Sequence, residues 1–167
     1  MINIDEIKLS KELIKFPSIT PVDAGAIKFL SKKLKSLGFK CNILEFKDKK
    51  SKPIKNLYAR LGKKQPNICY AGHTDVVPPG NYKDWTVNPF KPIVKNNHLI
   101  GRGANDMKSS IACFVSAVSK YLRNNPKINL ERLLKEYFPV QVISDGSNAP
   151  WMVTQWKNTC SEKGVQF

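Results

Sequence analysis

The sequence predicts an α/β fold, with helices covering both faces of a mostly parallel central sheet. Three observations carry that expectation. Two long segments repeat apolar residues at helical spacing, short apolar or alternating runs of strand length lie between them, and Gly, Pro and Asn mark the joins. A chain of 167 residues is long enough for one domain with a real core. Its 41% hydrophobic and 25% charged content excludes a disordered or fibrous polypeptide. No window approaches the roughly 18 uncharged apolar residues of a spanning helix, so no membrane role is expected. The opening Met1-Ile2-Asn3-Ile4-Asp5-Glu6 has no basic stretch leading into an apolar one, so no signal peptide is read there.

Each element follows from its residues. A first helix is expected over about Asp5 to Lys15. Ile27, Leu30, Leu34 and Leu37 share one helical face, with Asp23 near the start and Gly38 at the end. Phe39 to Ile43 alternates as a half-buried strand does, and Asn56 to Leu61 gives a second strand across the polar stretch Lys47 to Lys55. Ile68-Cys69-Tyr70-Ala71 reads as a short buried strand ending at Gly72. Asn96-Asn97 joins Pro92–Lys95 to His98–Gly101 as a hairpin, in which His98 has a structural place. Met107, Ile111, Val115, Val118 and Leu122 form the second strong helix, stopped by Asn124-Asn125-Pro126. Beyond Asn129, a short helix over Leu130 to Tyr137, a strand over Val140 to Ser144 and a helix carrying Met152, Val153, Trp156 and Cys160 are expected. Trp151 and Trp156 read as core residues of that last helix.

Charge divides the chain. The net charge is +15, and residues 1–64 hold 16 Lys/Arg against 6 Asp/Glu, whereas residues 130–167 hold 4 against 4. Two parts are therefore expected, 1–129 and an unassigned α/β tail, 130–167. Lys outnumbers Arg and no stacking-aromatic motif accompanies it, so a solvated lysine face accounts for the excess without nucleic acid. A non-catalytic basic binding module remains the alternative of another class. Cys41, Cys69, Cys113 and Cys160 stand far apart without a C-x-x-C pair, which suits a reducing cytoplasm.

Two clusters could carry chemistry. Gly72-His73-Thr74-Asp75 follows the expected buried strand, and open α/β sheets place their sites at such carboxyl ends. Residues i and i+2 of an extended segment point the same way, so Asp75 could orient the His73 ring toward a metal. A loop-capping His–Asp pair would look the same. Gly101-Arg102-Gly103-Ala104-Asn105-Asp106-Met107-Lys108 brings Asp106 to the start of the second strong helix. There it is either an N-cap or a carboxylate offered to a cation. The glycines lack the order of a phosphate loop. Taken together, His73 and Asp106 form a mixed N/O set suited to zinc or a similar divalent ion.

In that order and spacing, Tyr70 to Gly80, Trp85, Pro89-Phe90 and Gly101 to Lys108 resemble the co-catalytic zinc amidohydrolase and aminoacylase family. Asn56 to Arg60 and Ile111 to Phe114 add to the likeness, which covers residues 2 to 129 and is nearest to its desuccinylases of the diaminopimelate–lysine route. The acetylornithine deacetylases and other acyl-amino-acid hydrolases are the alternative within the family. The resemblance implies a three-layer α/β sandwich of the zinc aminopeptidase kind and a small anionic acyl-amino-acid substrate. It implies two divalent ions, zinc or cobalt, with His73 on one, Asp106 bridging both, and Asp75 as the catalytic support of His73. Metal-activated water would attack the amide carbonyl while a glutamate moves the proton. This sequence departs from the family in three places. Ser109-Ser110 replace glycines, and no general-base glutamate is found. Asp145-Gly146-Ser147 stands where the family has Asp-Glu-Glu, and Glu131, Glu136 and Glu162 fall on expected helices. Lastly, no counterpart of the family's distant His ligand or of its homodimerisation domain is expected in these residues. The chain alone is therefore expected to be inactive or nearly so.

Overall fold

The computed structural model describes residues 3–47, 52–63 and 67–124. The chain divides into two compact units, Met1–Lys63 with Ile68–Lys127 and Lys64–Asn67 with Ile128–Phe167. The second unit contributes only Asn67 to the described residues, so the helices and the strand expected beyond Asn129 lie outside them.

The first unit is built around three helices. Helix α1 (Glu6–Ile14) is capped by Asp5, whose carboxylate accepts from the Lys8 N–H at 2.7 Å. Helix α2 (Ala26–Ser36) starts one turn later than Asp23, which nevertheless caps it by accepting from the Gly25 and Ile27 N–H groups. It ends as expected, with Gly38 left-handed at φ +93°. Helix α3 (Ser109–Asn124) buries Ile111, Ala112, Val115, Ser116 and Ser119, a face of small residues on which α1 lies. Leu9, Leu13, Leu30, Leu34, Ile111, Ala112 and Val115 form one cluster with Ile4. Two hydroxyl groups fasten this packing: Ser119 Oγ accepts from the Ile4 N–H at 3.0 Å, and Ser116 Oγ donates to the Glu6 carboxylate at 2.8 Å.

Strands β1 (Lys40–Phe46) and β2 (Ile54–Arg60) pair antiparallel, with Lys40 opposite Arg60 and Phe46 opposite Ile54. Strands β3 (Ile93–Lys95) and β4 (His98–Ile100) form the hairpin expected around Asn96-Asn97. Both asparagines take positive φ, 49° and 61°, as a type I′ turn requires.

Two expectations are corrected. The strand from Phe39 was expected to be half-buried by alternation, but β1 is exposed along nearly its whole length. A two-stranded ribbon has one neighbour only, so just Cys41, Leu57 and Ala59 near its base reach the core, beneath α2. Ile68-Cys69-Tyr70-Ala71 forms no strand, and Ile68 is 51% exposed. An apolar run becomes a buried strand only where neighbours pair with it on the sheet. Among the described residues none does, and Tyr70 instead stacks on Phe114 of α3, with ring centroids 4.4 Å apart. The two sheets of the described residues are antiparallel pairs, and the parallel pairing is an isolated bridge between Ile19 and Val76, outside these strands.

Candidate metal centre

That bridge begins the site. The Val76 N–H donates to Ser18 O at 3.0 Å and the Thr20 N–H to Val76 O at 3.3 Å, which draws the segment after α1 alongside Thr74–Val76. Ser18 is fully buried with φ +36°, and its hydroxyl donates to Thr74 O at 2.7 Å. Val76 and Thr74 point inward, so His73 and Asp75 point out, as the i, i+2 spacing predicts.

The second turn, Ala104–Lys108, precedes α3 and is not regular. Asp106 (φ −131°, ψ 101°) and Met107 (φ −136°, ψ 30°) leave helical dihedrals. Asp106 therefore does not serve as an N-cap. Its side chain is 80% exposed and meets His73, with Nε2 3.0 Å from Oδ1. Gly103 brings the turns together. It has φ +84°, and a Cβ there would stand 2.8 Å from Val76 Cγ1 and 3.1 Å from Lys108 Cδ.

On its other side, the His73 ring is fixed by Asp75. Nδ1 lies 3.0 Å from the Asp75 carbonyl oxygen and 3.3 Å from the Asp75 carboxylate. A carbonyl only accepts, so Nδ1 carries the proton and Nε2 faces Asp106. Burial works against a charged ring, but the Asp75 carbonyl and the Asp75 and Asp106 carboxylates outweigh it and hold the His73 pKa above its usual value. A neutral ring would set its Nε2 lone pair against a carboxylate, so this place favours a cation: a proton on the ring, or an ion between the two side chains.

The residues fit a divalent ion. Tetrahedral bonds of about 2.0–2.1 Å separate neighbouring ligand atoms by roughly 3.3 Å, close to the observed 3.0 Å. The carboxylate behind the imidazole is the partner that metal-bound histidines use. Among the described residues, no group of three His, Cys, Asp or Glu converges on one point, so this pair provides two ligands and not a full set. The cleft around it, ≈ 280 Å³, is also lined by Thr20, Asn105 and Arg102. Arg102 stacks over Trp85 at 5.0 Å, and the Trp85 indole donates to Pro79 O at 2.9 Å. His98 lies in the β3–β4 hairpin, its ring 2.6 Å from Asn96 O. The stretches holding Asp145, Glu131, Glu136 and Glu162 lie outside the described residues.

Sequence reasoning brought out His73, Asp75 and Asp106 but gave no role to Ser18, Thr20 or Lys108. Lys108 is fully buried, and its ammonium donates to Phe16 O at 2.6 Å. Burial lowers its pKa to about 8, against an opposing pull from Asp75. A signal for Lys108 existed: Lys108, Ile111, Ala112 and Val115 fall at i, i+3, i+4 and i+7, a lysine on an apolar face. Nothing local points from Thr20 to Asp75.

A family profile described as the ComEC C-terminal domain matches residues 5–167. The chain belongs to that family. Its likeness to curated proteins is to succinyl-diaminopimelate desuccinylases. That of Pelagibacter ubique is 70% identical over 125 residues, 75% of this chain and 33% of the relative. That of Ehrlichia canis is 56% identical over 117 residues, 70% of this chain and 30% of the relative. The chain thus spans about a third of the length of the curated relatives it matches. Among solved structures, human carnosine dipeptidase 1 superposes with a TM-score of 0.64 at 22% identity, over 72% of this chain and 28% of that one. An M20 family metallo-carboxypeptidase from Sulfolobus solfataricus gives 0.58 at 22% identity, over 86% of this chain and 38% of that one. These two show the fold, an α/β domain, as the sequence led us to expect. The profile's description and the relatives' names differ. The 70% identity is direct likeness along the chain, whereas the profile's description names no reaction.

Proposed function

We propose that this chain carries the N-terminal part of a metal-dependent amide hydrolase, one that removes succinate from an N-succinylated diaminopimelate. One observation carries the proposal: His73 Nε2 and Asp106 Oδ1 meet at 3.0 Å, with Nδ1 committed to Asp75. The desuccinylase relatives support it. His73 would hold one ion through Nε2, and Asp106 would bridge that ion and a second. Bound zinc or cobalt ions would make water nucleophilic near neutral pH and stabilise the charge that develops on the amide oxygen. Asp75 keeps the His73 ring in the one tautomer and orientation that aims Nε2 at Asp106. Arg102 sets a cation on the cleft wall, and the +15 net charge draws an anionic acyl-amino-acid toward it. Such chemistry belongs in the cytoplasm. No described helix is long and apolar enough to cross a membrane.

What these residues lack sets the expected rate. Two protein ligands are fewer than the three a catalytic zinc ordinarily takes, and no glutamate lines the cleft among the described residues. A site without a general base loses about 10²–10⁴-fold. The purified chain, assayed with N-succinyl-diaminopimelate and added Zn²⁺ or Co²⁺, is expected to turn over at least about 10²-fold more slowly than full-length relatives. It should still retain metal by elemental analysis, and His73→Ala and Asp106→Asn should each lose it. Equal metal content in wild type and both variants would overturn the proposed centre. Turnover at the relatives' rate would overturn the reading that the described residues lack a third ligand and a base.

A further inference from the structure

The segment joining α1 to α2 touches both turns of the candidate centre. Phe16 O accepts from the Lys108 ammonium at 2.6 Å, two residues beyond Asp106. Ser18 bonds Thr74 through its hydroxyl at 2.7 Å and Val76 through its carbonyl at 3.0 Å. Thr20 Oγ1 donates to Asp75 Oδ2 at 2.6 Å. Five consecutive residues therefore hold the turn that carries His73 and the turn that carries Asp106. We propose that Phe16–Thr20 is a strap that sets the His73–Asp106 geometry, with Thr20 and Lys108 as its positioning residues.

Two of its bonds have separate tasks. Asp75 has two carboxylate oxygens, of which Oδ1 lies toward His73 Nδ1. The hydroxyl of Thr20 occupies Oδ2 and so stops the carboxylate from swinging away from the ring. Lys108 acts at the other turn. Its ammonium is buried, so the bond to Phe16 O anchors it, and its stem packs against Gly103 at the crossing of the turns. Ser18, buried and left-handed between them, gives the strap one conformation. Neither residue touches a reacting atom. Thr20 acts through Asp75, and Lys108 through the backbone of the two turns, and the inference rests on the reading of His73 and Asp106 as the ligands of the ion.

The test uses the whole chain and two readouts. Long-range ¹⁵N–¹H NMR reports the tautomer of each neutral histidine, and with only two histidines in the chain His98→Asn identifies His73. Titration with Co²⁺ alone, followed by its visible absorption, reports the ligand set. The wild type should show the Nδ1–H tautomer at His73. Thr20→Val, which keeps the shape and removes the donor, should give mixed tautomers and bind Co²⁺ about 10–100-fold more weakly. Thr20→Ser should restore both. Lys108→Met keeps the stem and removes a buried charge, so it should fold. It should leave the His73 tautomer intact and weaken Co²⁺ by a similar factor. A Thr20→Val protein with unchanged tautomer and affinity overturns the strap, as does failure of Thr20→Ser to rescue. Failure of the wild type to bind Co²⁺ overturns the metal reading instead, and the tautomer comparison still decides the strap.

Discussion

At the scale of single residues, the site depends on positions where only one residue type fits. Gly103 is the clearest. Its φ of +84° costs an L-residue about 1–2 kcal/mol, and an added methyl would press on Val76 and Lys108 at once. Gly103→Ala should therefore lose at least that much in urea unfolding. It should also push the two turns apart and weaken metal retention more than the stability loss alone explains. His73 and Asp75 were legible in the sequence because period-two geometry is local: two residues apart in extended chain, they face the same way whatever surrounds them. Asp106 was legible as a polar residue at a helix start. Its choice between capping α3 and meeting His73 was not, since that depends on the non-helical dihedrals of Asp106 and Met107 and on a partner 33 residues away.

At the scale of elements, α1 and α3 are joined by a polar latch at the edge of their apolar contact. The Glu6 carboxylate accepts from Lys120 Nζ at 2.9 Å and from Ser116 Oγ at 2.8 Å. Lys120, then Ser116, hold its pKa down from 4.5 to about 2. The sign follows from a carboxylate depressed in the folded state. Its stabilisation is complete above pH 4.5, declines as the medium becomes more acidic, and is gone below about pH 2. Melting temperature measured across that window should fall less steeply for Glu6→Gln than for the wild type, while the two curves run parallel near neutrality. The helices themselves were plain in the sequence, because an apolar stripe at helical spacing and a cap next to it are short-range signals. So was the β3–β4 hairpin, whose Asn96-Asn97 supplies both positive φ angles. The strand expected over Ile68–Ala71 was not realised. Apolar content says that a segment avoids water, not which neighbour covers it, and here Phe114 of α3 takes Tyr70.

At the scale of the whole first unit, stability is concentrated in one cluster shared by all three helices. Leu13 is fully buried there, with Leu9, Leu30 and Val115 among its partners in the cluster. Leu13→Ala should cost about 2–5 kcal/mol in chemical denaturation, because a close-packed site fills only part of the space the leucine leaves. The β1–β2 ribbon contributes less. Phe46 and Ile54 at its far end are 58% and 48% exposed, so replacing either by threonine should change the melting temperature little compared with Leu13→Ala. The centre lies between the segment that follows α1, the Thr74–Val76 segment and the turn that precedes α3, with no residue of the ribbon lining it.

The sequence by itself determined the three helices of the described residues, the hairpin turn and the α/β class, and it singled out His73, Asp75 and Asp106, since each rests on spacings of a few residues. Tertiary structure decided the rest. It brought an imidazole and a carboxylate 33 positions apart to within 3.0 Å, turned Asp106 from a cap toward His73, and laid Phe16–Thr20 across both turns. Contacts of that kind arise when a shared core folds distant segments onto one another, and no local pattern of residue types encodes them.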